Sequence, residues 1–108
     1  MLGGQEDMWD AFVDSVLSIG PAAERRSRYG AKRALWIASR EIAHQEAPGV
    51  IDLRITRTGW SQAKERYATD PVVRRDPSRR DWIELHLRSA VDLERVRELL
   101  AVALAANA

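Results

Sequence analysis

Met8, Trp9, Phe12, Val13, Val16 and Leu17 recur at i, i+1, i+4, i+5, i+8 and i+9 along "DMWDAFVDSVLSIGP". That spacing draws one apolar stripe and predicts an amphipathic helix, which Gly20-Pro21 ends. After the basic segment "AERRSRYG", the run "KRALWIASREIAHQEA" holds two short pieces around Ser39-Arg40 and predicts a hairpin. "GVIDLRIT" alternates with period two, Ile51, Leu53 and Ile55 on one side and Asp52, Arg54 and Thr56 on the other, which predicts a half-buried strand. "TGWSQAKERYAT" predicts a short helix presenting Trp60, Ala63 and Tyr67, closed at Asp70-Pro71 because proline disfavours a helical residue before it. "PVVRRDPSRR" is a short extended piece with a turn at Asp76-Pro77-Ser78. "DWIELHLR" alternates again, with Ile83, Leu85 and Leu87 inward and Trp82, Glu84, His86 and Arg88 outward. Leu93, Val96, Leu100 and Leu104 form the stripe of a long C-terminal helix, which Ser89 and Asp92 open at capping-box spacing.

This order predicts a single α+β domain over residues 1–108. Its antiparallel sheet has about four strands, with an N-terminal helix, a short middle helix and a long C-terminal helix packed on one face. The other face is left open or partly covered, and is the natural place to display functional side chains. The apolar fraction of 45% suits such a packed domain.

Charge changes the picture more than composition does. The net charge is only +1, yet residues 1–24 carry five acids and no base, and residues 25–80 carry fourteen bases against six acids, a balance of +8. Residues 81–108 return to three bases against five acids. All the bases but Lys32 and Lys64 are arginines, whose planar fork suits bidentate contacts to carboxylate or phosphate. With no cysteine, thiol catalysis, disulfides and cysteine-ligated zinc are excluded. The acidic start "MLGGQEDMWD" has no basic n-region, and no run approaches the roughly 18 apolar residues of a membrane span, so a cytoplasmic protein with no membrane partner is expected.

Three classes of function are compatible with these features. The leading expectation is a non-enzymatic binding or regulatory module that recognises a small molecule or protein partner. Its surface is the outward sheet face, Trp36, Asp52, Arg54, Trp82, Glu84 and His86, rimmed by Arg74, Arg75, Arg79 and Arg80. Aromatic side chains beside arginines can stack planar ligands. The second is a nucleic-acid binder, in which Arg74, Arg75, Arg79 and Arg80 grip phosphates and Tyr29 stacks, although charged loops are usually just solvated surface. The third is a small enzyme or biosynthetic accessory protein using His86 or His44 as acid or base, with Glu84 or Asp52 alongside.

The histidines need separate treatment. A turn at Ser39-Arg40 sets residue 35 opposite residue 44, so His44 shares the core-facing side with Leu35, Ile37 and Ile42 and is expected to be a hydrogen-bonded packing residue. His86 points outward. Alternation then sends the two histidines to opposite faces, and neither a metal site nor a cofactor is expected.

Arg40-Glu41-Ile42-Ala43-His44, Asp52-Leu53 with Arg57, Trp82-Ile83 with Arg88, and Asp92 with the leucines of the last helix form an ordered set running from about residue 30 to the C-terminus. The set resembles the small luciferase-domain family, whose activity is largely undefined. It is more loosely similar to the MmcQ/YjbR-like proteins, whose α+β fold has been likened to DNA-binding double-wing modules. The resemblance implies an α+β fold more than it implies a function. The chain departs from the pattern at Glu46, where a second histidine is common, and at "VVRRDPSRR", which replaces a histidine-containing segment. An eight-fold α/β luciferase barrel needs roughly 250 residues, which excludes that architecture here.

Overall fold

In the computed structural model, which describes residues 7–30 and 32–108, the elements run α1 (Trp9–Ile19), β1 (Ala23–Arg26), β2 (Arg33–Ile37), β3 (Arg40–Ala47), β4 (Val50–Arg54), α2 (Thr56–Tyr67), β5 (Val73–Arg74), β6 (Trp82–His86), α3 (Ala90–Arg95) and α4 (Arg97–Ala106). The two alternating runs read from the sequence become neighbours: Ile51 stands opposite Leu85 and Leu53 opposite Ile83 in an antiparallel ladder. Their inward side chains join Trp9, Phe12 and Val16 of α1 and Leu99 and Leu100 of α4 in one hydrophobic core. The α+β class and the antiparallel sheet are as expected.

The number of strands is not. Among the described residues the sheet has six strands rather than about four, in the order β1-β2-β3-β4-β6-β5. The additions are both edges. All four residues of β1 are exposed, so no alternation marks it, and only its pairing with β2 makes it a strand. β5 is two residues long and pairs with β6 through Val73 opposite Leu85 and Arg74 opposite Glu84.

The helices differ in detail as well. The long C-terminal helix divides at Val96, whose φ of −97° and ψ of 4° interrupt the helical run, although Leu93, Val96, Leu100 and Leu104 are all buried on one stripe. Ser89 makes no side-chain cap; instead Asp92 accepts the Arg88 N–H at 2.8 Å. The middle helix, Thr56–Tyr67, starts two residues before the expected segment and ends two before its end. Leu17, expected on the first helix's stripe, is exposed.

The β2–β3 hairpin decides where the histidine goes. Its turn is Ala38-Ser39, not Ser39-Arg40, with Ala38 at a φ of +53°. Ile37 then pairs with Arg40 and Trp36 with Glu41. The next pairs are Leu35 with Ala43 and Ala34 with His44, so β3 gains one residue and Ile42 and Ala43 together oppose Leu35. This is a β-bulge, and it lets two consecutive apolar residues both enter the core. Strict alternation would have sent one of them out. The bulge inverts the parity of the residues beyond it on β3, and His44 leaves the core-facing side for the opposite face.

At the other end of β3 the turn Pro48-Gly49 leads into β4. Gly49 has a φ of +78°, and a Cβ there would stand 2.5 Å from the Leu87 carbonyl oxygen. The Leu87 N–H donates to the Gly49 oxygen at 2.7 Å, so β6 closes directly on the glycine backbone. Only glycine combines that φ with that approach.

Candidate functional site

On the sheet face away from the helices, the strand register lines up one residue from each strand: Arg25, Ala34, His44, Asp52, Glu84 and Arg74. His44 and Asp52 hold the middle of this row. The His44 ring is bonded at both nitrogens, Nδ1 to Glu41 Oε2 at 2.9 Å and Nε2 to Asp52 Oδ2 at 2.9 Å. Glu41, His44 and Asp52 are 3%, 4% and 1% exposed, although among the described residues no helix covers this face.

The cover comes from two loops. Glu41 ties down the first: Ser27 Oγ donates to its Oε2 at 2.7 Å, the Arg28 N–H donates to its Oε1 at 2.7 Å, and the Tyr29 N–H donates to Ser27 Oγ at 3.0 Å. This sets the Tyr29 ring 5.5 Å from the His44 ring. The second loop is the Asp76-Pro77-Ser78 turn, whose Asp76 carboxylate accepts the Ser78 N–H at 3.0 Å. It delivers Arg79 to Asp52 Oδ2 at 3.0 Å and over the Trp82 ring at 5.9 Å. Trp82 lies 5.2 Å from the His44 ring and 6.3 Å, edge to face, from Tyr29.

Two carboxylates flank the imidazole, an arrangement that favours the doubly protonated ring with each nitrogen donating. Burial pulls His44 down, but the hydrogen bonds and charges of Asp52 and Glu41 outweigh it and hold its pKa above the ordinary value. Burial likewise pushes Asp52 up, and the His44 and Arg79 bonds win, holding it below the usual carboxylate range. The bond to Asp52 raises Arg79 against a smaller effect of burial.

Tyr29, Lys32, His44, Glu46, Asp52, Arg79 and Trp82 line a cavity of about 340 Å³ over this centre. A second cavity of about 250 Å³ shares Arg79 and Trp82 and adds Arg74, Arg75, Asp76 and Glu84. A larger one, about 510 Å³, lies at the sheet end beside His86, Arg88 and Arg95. The first differs from both in holding an unpaired buried carboxylate; the second holds an unpaired buried guanidinium nitrogen, Arg75 Nε. Among the described residues Asp52 Oδ1 has no hydrogen-bond partner although it is buried, and a buried carboxylate oxygen left unpaired is costly.

The residues expected on this face divide. Asp52 and Trp82 line the central cavity, Glu84 the adjoining one and His86 the outer one, with His86 Nε2 2.6 Å from Glu84 Oε1. Trp36 stays on the face but away from the cavity, donating through Nε1 to the Arg26 oxygen at 3.2 Å beneath Arg28. Arg54 turns at the strand end to Asn107 Oδ1, 2.5 Å, and Asp81 Oδ2, 3.4 Å. Of the four loop arginines, Arg79 is bound to Asp52 and Arg75 lies over Trp60 at 5.5 Å, while Arg74 and Arg80 are exposed.

Two expectations about the histidines are corrected. His44 is not on the core-facing side, and it shares the open face with His86, so alternation gives no ground against a metal. Glu41, Ser27, Lys32 and Glu46 join the site without being expected there. The signal for Glu41 is the pair Ile42-Ala43 between a glutamate and a histidine, two adjacent apolar residues that a bulge lets enter the same core.

No helix among the described residues is long and apolar enough to cross a membrane. Comparison with protein-family models, curated proteins and solved structures finds no match to this chain.

Proposed function

We propose that this protein is a binding module that takes a small planar molecule bearing hydrogen-bond donors into the cavity lined by Tyr29, Trp82 and Asp52. The observation that carries the reading is Asp52 Oδ1, a buried acceptor with no partner among the described residues, on a carboxylate that lines the cavity. Rotation of that carboxylate brings it to a ligand N–H or O–H, and Tyr29 and Trp82, edge to face at 6.3 Å, give the ligand an aromatic wall. Lys32, Glu46 and Arg79 at the rim supply charges of both signs for orientation.

Binding is favoured over catalysis by how the polar groups are used. Both nitrogens of His44 are engaged, so neither is free to take a proton from a substrate. Asp52, held below the usual range, is a weak base. The nucleic-acid reading is left with Arg74 and Arg80 of its four arginines, because Arg75 and Arg79 serve contacts within the fold. Glu41, His44, Asp52 and Trp82, which carry part of the likeness to the luciferase-domain family, meet at this cavity, and membership of that family belongs to the same proposal.

The test is saturation-transfer NMR of planar, donor-bearing fragments such as 2-aminopyridine and benzamidine, in chelator-treated protein. Saturable uptake that is lost in Trp82→Ala and Asp52→Asn supports the reading. No uptake, or uptake that survives both substitutions, overturns it.

A further inference from the structure

We propose that the floor of the central cavity is a divalent-cation site, with His44 Nε2, Asp52 and Glu46 as ligands and Glu41 as the positioning residue behind the histidine. The proposal uses the cavity of the binding reading, but it stands or falls separately. One ligand atom from each of His44, Glu46 and Asp52 lies within 4.8 Å of the others. Nε2 of His44 is 2.9 Å from Asp52 Oδ2 and 3.9 Å from Glu46 Oε1. Donors bound at 2.0–2.2 Å to one ion stand roughly 3–3.6 Å apart, so a small rotation of the exposed Glu46 closes the set.

The scaffold fixes the donors well. Residues 44 and 46 leave β3 toward one side, and Asp52 faces His44 directly across the β3–β4 ladder. Glu41 accepts from His44 Nδ1 while Ser27 Oγ and the Arg28 N–H hold its carboxylate in place. That is the carboxylate–histidine arrangement which fixes a metal-binding tautomer, with Nδ1–H toward the carboxylate and Nε2 toward the ion. The bulge is what permits it.

Asp52 Oδ1 is the independent pointer. Hydrogen bonding within the fold accounts for Oδ2, which takes both His44 and Arg79, and leaves the other oxygen of this cavity-lining carboxylate buried without a partner among the described residues. A cation engages both oxygens. One imidazole and two carboxylates with open positions toward a cavity suit Zn²⁺, Mn²⁺, Fe²⁺ or Co²⁺.

The experiment titrates chelator-treated, full-length protein with Co²⁺, read by its visible absorption, and with Zn²⁺ by calorimetry. The expected result is one equivalent bound, at least about tenfold weaker in Asp52→Asn, in Glu46→Gln and in the positioning variant Glu41→Gln. His86→Gln should bind as the parent does. Glu46→Gln changes an exposed rim residue and guards against variants that fail to fold. Absence of stoichiometric uptake overturns the proposal, as does uptake that survives Glu46→Gln and Asp52→Asn or is lost in His86→Gln. A cavity that takes planar fragments but no Co²⁺ overturns the cation site and leaves the binding reading standing; the reverse result does the opposite.

Discussion

The imidazole of His44 meets the carboxylate of Glu41 at 2.9 Å although the two residues are three apart on one strand. In an unbroken strand they would point to opposite faces. The extra residue at Ile42-Ala43 puts both on the open face, where Asp52 completes a buried carboxylate–imidazole–carboxylate line.

If that line is a buried ionic unit, removing its centre strands two carboxylates. His44→Ala is expected to cost about 3–5 kcal/mol in urea unfolding. His86→Ala, which breaks a half-exposed pair with Glu84, is expected to cost about 1 kcal/mol or less. Equal losses would contradict the assignment of His44 to an ionic centre.

Gly49 is expected to be intolerant. Gly49→Ala meets both an unfavourable φ and the Leu87 carbonyl, and should destabilise by about 2–3 kcal/mol, read from the shift of the urea midpoint. A shift near zero would mean that the β3–β4 turn moves away from Leu87 freely.

Stability of the metal-free protein should be bounded on both sides in pH. His44 is raised above its ordinary 6.5, so its contribution is complete below that value and is lost as pH rises through the raised one. Asp52 is lowered below 3.8, so its contribution is complete above that value and is lost as pH falls through the lowered one. Chelator-treated protein is therefore expected to be most stable between about pH 4 and 6.5. Urea midpoints measured across this range check it, and in His44→Ala the alkaline limb should flatten.

Tyr29 separates binding from stability. It is 57% exposed, and Tyr29→Ala should change unfolding by no more than about 0.5 kcal/mol. The same substitution should weaken fragment uptake at least about tenfold, because it removes one wall of the cavity. A variant that binds as the parent does would remove Tyr29 from the site.

Much of this is legible in the sequence. The stripe of α1 and the alternations of β4 and β6 stand out because each buries one side only, and they place Asp52, Trp82, Glu84 and His86 on the outward face. Other features leave a fainter mark or none, the second edge strand being legible only as part of the short extended piece "PVVRRDPSRR". Ala23–Arg26 is an exposed edge without alternation, and Val73–Arg74 is too short to show a period. Ala38 adopts a positive φ without the glycine or asparagine that usually marks such a turn, so sequence reasoning sets the hairpin one residue late. The misplaced turn shifts the register by two residues and leaves the face of residue 44 unchanged; the unseen bulge alone moves His44 to the other face. Arg79 is legible as a basic loop residue, but its bond to Asp52 depends on how the Asp76 turn folds back over the sheet.

The most direct test of the account is the imidazole of His44 itself, observed by long-range ¹H–¹⁵N NMR in chelator-treated protein near about pH 6. The account predicts two protonated ring nitrogens, both in hydrogen bonds, with ring protons close to those of Tyr29 and Trp82. A neutral ring whose protons approach the methyl groups of Leu35 and Ile37 would place His44 back in the core and contradict it.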